Sequence, residues 1–377
     1  MHFNIEHDDQ KSIAFWVAPD RPDATPSVRV VLAENREVIV KAKQLREHVR
    51  DVGVHDTGIC GFLLDDSNVP GISMSRKLAI YEVSTGLLLY RRAMPAQPVE
   101  GRLFRLESRI LARTRLDALL QQPFHLGYTL VEEHSGETIR SLIDIPYTSS
   151  LYISGRVPFA RVRDQLRLRG FRTALLLGDP FREIFARLLL IQEPGQNVAL
   201  AATMAPPAVL ARAREALKTV PASVEGFARA LETLDTATLH YLSDPLTRQI
   251  IDAEPGSALP RDSAQQVMAT LAEFDALGVE SDPAEFIELV WAVLGFPYKA
   301  NGSLGSGPDT ALSEQLRSHA AFRKLARFDG VVFDTVCQAI EALPEPEEAE
   351  SQAPMLRLSA GKKGGSTASA RRKQGSI

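Results

Sequence analysis

The chain has little cysteine, no common zinc motif and no excess of charge of either sign. Only Cys60 and Cys337 occur among 377 residues, and neither has a CxxC neighbour or a histidine at ligand spacing, which argues against a disulfide framework and a zinc site. The 43 Lys and Arg against 47 Asp and Glu give a net charge of -4, so the chain has no overall field that attracts nucleic acid. We therefore expect neither a metal centre nor a nucleic-acid partner.

Membrane spans and secretory signals are also missing from the sequence. The most apolar stretch, residues 174–190, is interrupted by Gly178-Asp179-Pro180 and by charges, whereas a transmembrane helix needs about 20 apolar residues in succession. The first residues, MHFNIEHDDQ, carry acidic groups where a secretory signal carries basic ones. The motifs G-x-S-x-G and H-E-x-x-H do not occur. We expect a cytoplasmic protein without a transmembrane segment, and the sequence leaves its oligomeric state open.

The composition is otherwise that of a folded protein, with 45% hydrophobic and 24% charged residues. A length of 377 residues exceeds what one hydrophobic core usually fills, which favours a multidomain chain. From residue 11 to about residue 95, short runs rich in β-branched residues are separated by Pro, Asn, Asp and Gly. Such runs predict a small β-sandwich, which we bound at residues 1–97.

A second region alternates short apolar strands with helices. Residues 128–131, 150–154 and 173–177 are almost continuously apolar, as parallel strands buried on both faces must be. Beyond Ala205 the pattern is nearly all helical. The sequence predicts a three-layer α/β domain over residues 103–343 with a helical C-terminal half.

The last region, residues 344–377, has four glutamates between prolines followed by six basic residues among Gly and Ser. Such a composition buries too little apolar area to offset the entropy of ordering, so we predict a disordered tail. Two interpretations of its basic end stay open: a solvated tail without a dedicated partner, or a segment that contacts an acidic partner.

The order of elements in the second region resembles a known family. Strand, turn and helix at residues 128–143 are followed by a strand with Ser-Gly at 150–155, and by a strand, Asp-Pro and helix at 173–190. This layout resembles the sulfotransferase fold, in particular the carbohydrate sulfotransferases. The resemblance implies a P-loop-type parallel sheet and transfer of a sulfuryl group from phosphoadenosyl phosphosulfate (PAPS) to a sugar hydroxyl. The family binds PAPS through a loop of the type P-K-T-A-G-T-T after its first strand and through R-D-P-x-x-R-x-x-S after a later one.

The first of these elements corresponds to residues 132–138. Gly136 and Thr138 match the family loop, whereas the family lysine falls on Glu133. Lysine, arginine and backbone N–H groups stabilise phosphoryl-type groups, so a carboxylate at this position repels the donor. His134 is the only histidine in this loop. It is either an acid or base with Glu132, Glu133 or Glu137 as its partner, or a solvated loop residue.

The second element corresponds to residues 176–186, where Asp179 and Pro180 preserve the family's Asp-Pro corner. Gly178 and Glu183 stand at the two family arginines, and Ala186 stands at the family serine. The resemblance therefore implies a degenerate donor site. Nearby arginines offer substitute charge from shifted positions: Arg140, Arg182 and Arg187.

Two further stretches resemble family motifs. Residues 153–159 resemble the family motif S-G-H-x-P-F. Arg156 stands at the histidine of this motif, which acts as general base in some members of the family. An arginine stays protonated and cannot accept that proton, so Arg156 either holds an acidic sugar or pairs with a neighbouring carboxylate. Arg248 closes a stretch that resembles the family's N-N-x-x-T-R turn. It completes the set of possible anion-binding or sugar-binding arginines.

We predict a catalytically degenerate sulfotransferase-like protein without a cofactor. Its expected partners are carbohydrate or glycan-synthesis proteins, and its expected role is binding or scaffolding in bacterial surface-polysaccharide synthesis or modification. Residues 13–20 and 58–62 resemble a β-sandwich module found beside glycan-building enzymes, where Trp16 either packs in the core or stacks on a sugar. The alternative is an active sulfotransferase, or another group transferase on a carbohydrate, that uses PAPS or another donor at an altered site. A pure assembly module is the third possibility.

Overall fold

Two antiparallel sheets precede one parallel sheet, and helices form most of the remainder. The computed structural model describes residues 1–297 and 310–342, so the predicted tail at 344–377 lies outside the described residues. Residues 1–337 form one compact unit. The strands are β1 (His2–Asp8), β2 (Ile13–Ala18), β3 (Ser27–Val31), β4 (Glu37–Lys41), β5 (Gln44–Leu45), β6 (Ile59–Leu64), β7 (Ala79–Glu82), β8 (Leu88–Arg91), β9 (Gly101–Leu106), β10 (Leu126–Tyr128), β11 (Ser150–Gly155), β12 (Phe171–Leu177) and β13 (Ala276–Val279). The helices are α1 (Glu47–Asp51), α2 (Thr114–Leu120), α3 (Gly136–Ile143), α4 (Phe159–Leu168), α5 (Pro180–Gln192), α6 (Val198–Ala202), α7 (Pro207–Lys218), α8 (Val224–Thr233), α9 (Thr236–Leu242), α10 (Pro245–Ile251), α11 (Ser263–Leu271), α12 (Pro283–Val293), α13 (Thr310–Ser318), α14 (Ala320–Leu325) and α15 (Arg327–Glu341).

The N-terminal region contains two four-stranded antiparallel sheets with strand orders β1-β2-β6-β5 and β4-β3-β7-β8. Burial follows the two-residue period of a strand: Val28 and Val30 of β3 are fully buried, and Arg29 between them is not. Strands β7 and β8 are joined by a turn that contains Gly86 at φ +70°. These sheets confirm a β-rich first region. Trp16 packs against a small apolar cluster, with its ring edge-on to that of His48 at 6.0 Å.

The parallel sheet has the order β10-β11-β9-β12-β13, which confirms the α/β character of the second region. Strands β11 and β12 lie where their apolar runs predict them. Strand β10 ends at Tyr128 instead of continuing to residue 131, because Leu130 adopts a left-handed φ of 56° and a short 3-10 turn follows. Strand β9 was not predicted, because Arg102 and Arg105 interrupt its apolar pattern.

The C-terminal half is helical, as predicted. One core lies among helices α5, α7, α8 and α14 around Leu188, Phe227 and Phe322, and another joins the sheet to α2 and α12 through Tyr152 and Trp291. Helix α14 ends at Leu325 and α15 begins at Arg327, so Asp329 and Gly330 lie inside α15. Within the described ranges, every helix is too short or too polar to cross a lipid bilayer.

Candidate functional site

The five parallel strands bring their carboxyl ends to one edge of the sheet. Glu107, Arg156, Gly178 and Glu280 directly follow β9, β11, β12 and β13. From β9 the chain crosses to β10 on one side, whereas from β12 it crosses to β13 on the other. Connections that diverge in this way leave a crevice between the two strands, where open α/β sheets bind ligands. The crevice between β9 and β12 is therefore the candidate functional site.

A buried carboxylate lies in the loop that follows β9. Glu107 has no exposed surface. Its Oε1 accepts hydrogen bonds from the backbone N–H of Arg109 at 3.0 Å and from Arg113 Nη1 at 2.7 Å. Its Oε2 accepts from the backbone N–H of Arg113 at 3.0 Å and from Arg105 Nη1 at 3.0 Å. Four donors use the full acceptor capacity of a carboxylate.

Arg105 supports this carboxylate from the middle of the sheet. Its guanidinium is fully buried, and its Nε donates to Asp117 Oδ1 at 2.9 Å. The Tyr152 hydroxyl donates to the same oxygen at 2.5 Å. Burial opposes the ionisation of Glu107, but the charges of Arg105 and Arg113 outweigh it and lower the pKa of Glu107 to about 2. Glu107 is therefore an anion at every physiological pH.

The loop after β12 closes the other side of the crevice. A Cβ atom on Gly178 would lie 2.9 Å from Arg113 Nη2 and 3.0 Å from Glu280 Oε2, so a larger residue would displace the ends of these two side chains. Glu280 forms ion pairs with Arg109 and Arg113. The remaining cavity, bordered by Ser108, Gly178 and Leu246 among others, measures about 20 Å³. The crevice is closed by ion pairs of the chain itself.

The start of α5 borders the same crevice. Asp179 is the N-cap of this helix and accepts from the backbone N–H of Phe181 at 2.8 Å. Glu183 accepts from the backbone N–H of Ile110 at 2.9 Å and from Arg187 Nε at 2.6 Å. Burial raises the pKa of Glu183, and the charge of Arg187 opposes that shift. Ala186 packs against the apolar cluster that contains Ile110. The structure thus brings the predicted residues Gly178, Asp179, Ala186 and Arg187 together.

Arg156 lies at the margin of this site. Its guanidinium donates to the carbonyl of Ile110 at 3.1 Å and to Thr203 Oγ1 at 3.3 Å, and its backbone N–H donates to Glu132 Oε2 at 2.9 Å. Burial lowers the pKa of Arg156 from its ordinary value. Among the described residues no carboxylate forms an ion pair with Arg156, so the predicted pairing with a neighbouring carboxylate is not made by its guanidinium.

Residues 132–138 follow the edge strand β10 and pack against the N-terminal region. Ser135 caps α3 by accepting from the backbone N–H of Thr138 at 3.1 Å, and the Ser135 hydroxyl donates to Asp20 at 2.7 Å. The Met1 nitrogen lies 2.8 Å from Thr138 Oγ1. This end of α3 is therefore filled by residues of the first region.

Other predicted site residues lie near these elements but outside the crevice. Glu133 and Gly136 are exposed, and Arg140 pairs with Glu137 on the surface. His134 is in the same loop, where its backbone N–H donates to the Val131 carbonyl at 3.0 Å. The structure does not bring these side chains to the loop after β9.

Two further predicted arginines are Arg248 and Arg182. Arg248 donates to the carbonyls of Ser243, Glu254 and Ser257 at 2.8 to 3.2 Å, and so fixes the turn after α10. Arg182 keeps its Nη1 buried without a hydrogen-bond partner in the described part of the chain.

The sequence did not predict the residues that close the crevice: Glu107, Arg109, Arg113 and Glu280. One signal was available, because a glutamate directly after a strand is followed at positions 109 and 113 by arginines. This pattern indicates a site only if residues 101–106 are already known to form a strand.

No family profile, curated protein or solved structure matches the chain. The functional assignment therefore depends on the geometry of the chain itself.

Two buried carboxylates lie on the helical side of the crevice and cap each other's helices. Asp244 Oδ1 accepts from the backbone N–H groups of Phe328 at 2.7 Å and Asp329 at 3.1 Å. Asp329 accepts from those of Leu246 at 2.9 Å and Thr247 at 2.8 Å. This reciprocal capping satisfies N–H groups in the first turn of α10 and in the first turn of α15. Burial and the charge of Asp329 raise the pKa of Asp244 to about 7.

We expect Asp244→Asn to reduce a pH dependence of stability, of which a part remains because burial also raises the pKa of Asp329. A carboxyl whose folded-state pKa is raised favours folding while protonated, and this contribution is lost as pH rises from about 4 to 7. Asparagine keeps the Oδ1 acceptor and the left-handed backbone at φ 48°. The free energy of unfolding of the variant should rise relative to wild type by at most about 1.4 kcal/mol per pH unit over this range.

Urea denaturation at pH 5, 6, 7 and 8 measures this difference. Asp235→Asn is the matched control, because Asp235 is also an N-cap but its pKa is lowered, chiefly by the N–H of Thr238. The difference in the free energy of unfolding between Asp235→Asn and wild type should not change between pH 5 and 8. A constant difference for Asp244→Asn would contradict the prediction.

Proposed function

We propose that the chain is a catalytically degenerate sulfotransferase-like protein that binds or scaffolds partners in bacterial surface-polysaccharide synthesis or modification. One observation carries this proposal: the crevice where a parallel sheet of this kind takes its ligand is closed by the chain's own carboxylates. In this proposal the protein uses no PAPS.

The topology favours a different counterpart for the family's first loop. That loop follows the first strand of the family's sheet, and the first strand of this sheet in chain order is β9. The counterpart of the loop is then residues 107–113. The Asp-Pro corner at residues 179–180 borders the same crevice. Both family elements thereby meet at one place, which residues 132–138 do not reach.

The electrostatics of the crevice disfavour a doubly phosphorylated donor. Arg109 and Arg113 supply positive charge in the loop, but Glu107 and Glu280 already pair with them. A bound anion would have to displace these carboxylates or approach them at close range, where like charges repel by several kcal/mol. The remaining cavity of about 20 Å³ is also far below the roughly 300 Å³ of a small ligand pocket.

Arg156 supports a role in glycan binding. It is half-buried beside the closed crevice and has no ion pair with a carboxylate among the described residues. A guanidinium in this position suits the carboxylate of an acidic sugar, which it can bind through two parallel hydrogen bonds. The acceptor side of the site would then persist after loss of the donor side.

Titration calorimetry of the full chain with PAPS and with its desulfo product tests the proposal. We expect no binding up to about 1 mM of either compound, because the crevice is filled. Micromolar binding of PAPS would replace the proposal with the alternative, an active transferase. Glu183→Gln removes the negative charge of this side chain but keeps its shape. Binding of PAPS by this variant would show that the charge, and not a lack of space, prevents binding to wild type.

A glycan array with the full chain tests the binding role. Wild type should retain glycans that contain uronic acids, and Arg156→Gln should lose them, whereas Arg140→Gln, a surface arginine, should not. Absence of glycan binding by wild type would favour a pure assembly module.

A further inference from the structure

The carboxylate of Glu107 has the surroundings of a bound oxyanion. Two backbone N–H groups of one loop and two guanidinium groups converge on it, at 2.7 to 3.0 Å. The backbone N–H groups of Arg109 and Arg113 are four positions apart and point to the same carboxylate. Backbone N–H groups that converge on one concavity bind anions such as phosphate, and arginine adds the paired donors that such anions favour. An ordinary surface ion pair has neither the backbone donors nor the complete burial seen here.

A second observation concerns a donor that Glu107 does not satisfy. Arg113 Nη2 is buried without a hydrogen-bond partner in the described part of the chain, and a carboxylate oxygen of Glu280 lies 3.7 Å from it. Glu107 already accepts four hydrogen bonds on two oxygens. The loop therefore offers more donors than a planar carboxylate can use, whereas a tetrahedral anion brings four oxygens.

We propose that residues 105–113 form a site for a sulfate or phosphate group, which the chain fills with its own Glu107 carboxylate. The inference rests on the proposed function only in placing the donor-loop counterpart at residues 107–113. In wild type the internal carboxylate excludes the external anion. Removal of the Glu107 side chain leaves the donors of Arg105, Arg109 and Arg113 without an acceptor and opens the site.

The experiment is chemical rescue of Glu107→Ala in the full chain. Its melting temperature is measured against sodium sulfate, with sodium chloride added to hold the ionic strength constant. We expect a saturable rise of several degrees, half-complete at low millimolar sulfate, because a ligand that binds only the folded state stabilises it. Wild type should show only the small, non-saturating effect that sulfate has on most proteins.

Two controls separate an oxyanion site from general neutralisation of buried arginines. Asp117→Ala also removes a carboxylate partner of Arg105, but it leaves Glu107 in its loop. A saturable sulfate effect of equal size in Asp117→Ala would overturn the inference. Sodium acetate should rescue Glu107→Ala less well than sulfate, since acetate only restores the lost carboxylate. Equal or better rescue by acetate would also overturn it.

The test holds even if Glu107→Ala does not fold in chloride. The titration is then followed by far-UV circular dichroism, and sulfate-dependent recovery of the native signal supports the site. No recovery at any sulfate concentration would overturn it. This failure is distinguishable from failure of the proposed function, which is decided by PAPS binding to wild type.

Discussion

Replacement of Arg105 by alanine should lower the free energy of unfolding by about 3–5 kcal/mol, because it leaves the buried Asp117 without its counter-ion and leaves Glu107 with Arg113 alone. Arg105 is fully buried between Glu107 and Asp117. Its removal leaves the carboxylates of Asp117 and Glu107 near each other without the cation between them. It also leaves a cavity beside the middle strand of the sheet. Urea denaturation at pH 7 measures the loss.

Arg172→Ala is the matched control. Arg172 is also a strand arginine paired with an aspartate, Asp275, at 2.8 Å, but its side chain is 58% exposed. Solvent screens such a pair, so the loss should be below about 1 kcal/mol. Similar losses in the two variants would show that the buried network at Arg105 contributes no more than a surface pair.

Two glycines near the candidate site should respond to alanine with opposite results. A Cβ on Gly155 would lie 2.5 Å from Glu132 Oε2 and 2.8 Å from the backbone nitrogen of Val131. Since the backbone there must shift, we expect Gly155→Ala to reduce the free energy of unfolding by about 1–3 kcal/mol. A Cβ on Gly136 would meet no atom within 4 Å, so Gly136→Ala in α3 should leave stability unchanged or raise it by up to about 1 kcal/mol.

Thermal unfolding of both variants measures this contrast. Gly136 lies in the first turn of α3, whereas Gly155 ends β11 at the edge of the sheet that carries the candidate site. A destabilising Gly136→Ala would indicate a close approach that the structure does not show. A harmless Gly155→Ala would mean that the turn after β10 can move away from β11.

Much of the second region could be predicted from local patterns. Strands β11 and β12 are continuous apolar runs, and burial on both faces of a parallel sheet requires such runs. The Asp-Pro corner marks the start of α5, because Asp179 caps the helix and proline suits its first turn. The predicted residues that follow these strands, Arg156 and Gly178, do lie at the same edge of the sheet.

Strand β9 and its loop could not be predicted in the same way. Arg105 and Glu107 indicate an exposed segment when they are read locally, since charged residues are seldom fully buried. Their burial is compensated by Asp117 and Tyr152, and Tyr152 lies 47 positions beyond Arg105.

The class of molecule follows from composition and local periodicity. Balanced charge, sparse cysteine and short apolar runs limit the chain to a folded α/β protein with a β-rich N-terminal region. The state of the crevice depends instead on contacts between distant parts of the chain. Arg109 meets Glu280 from 171 positions away, and whether an arginine is free to bind a ligand or is neutralised depends on which carboxylate the fold places against it.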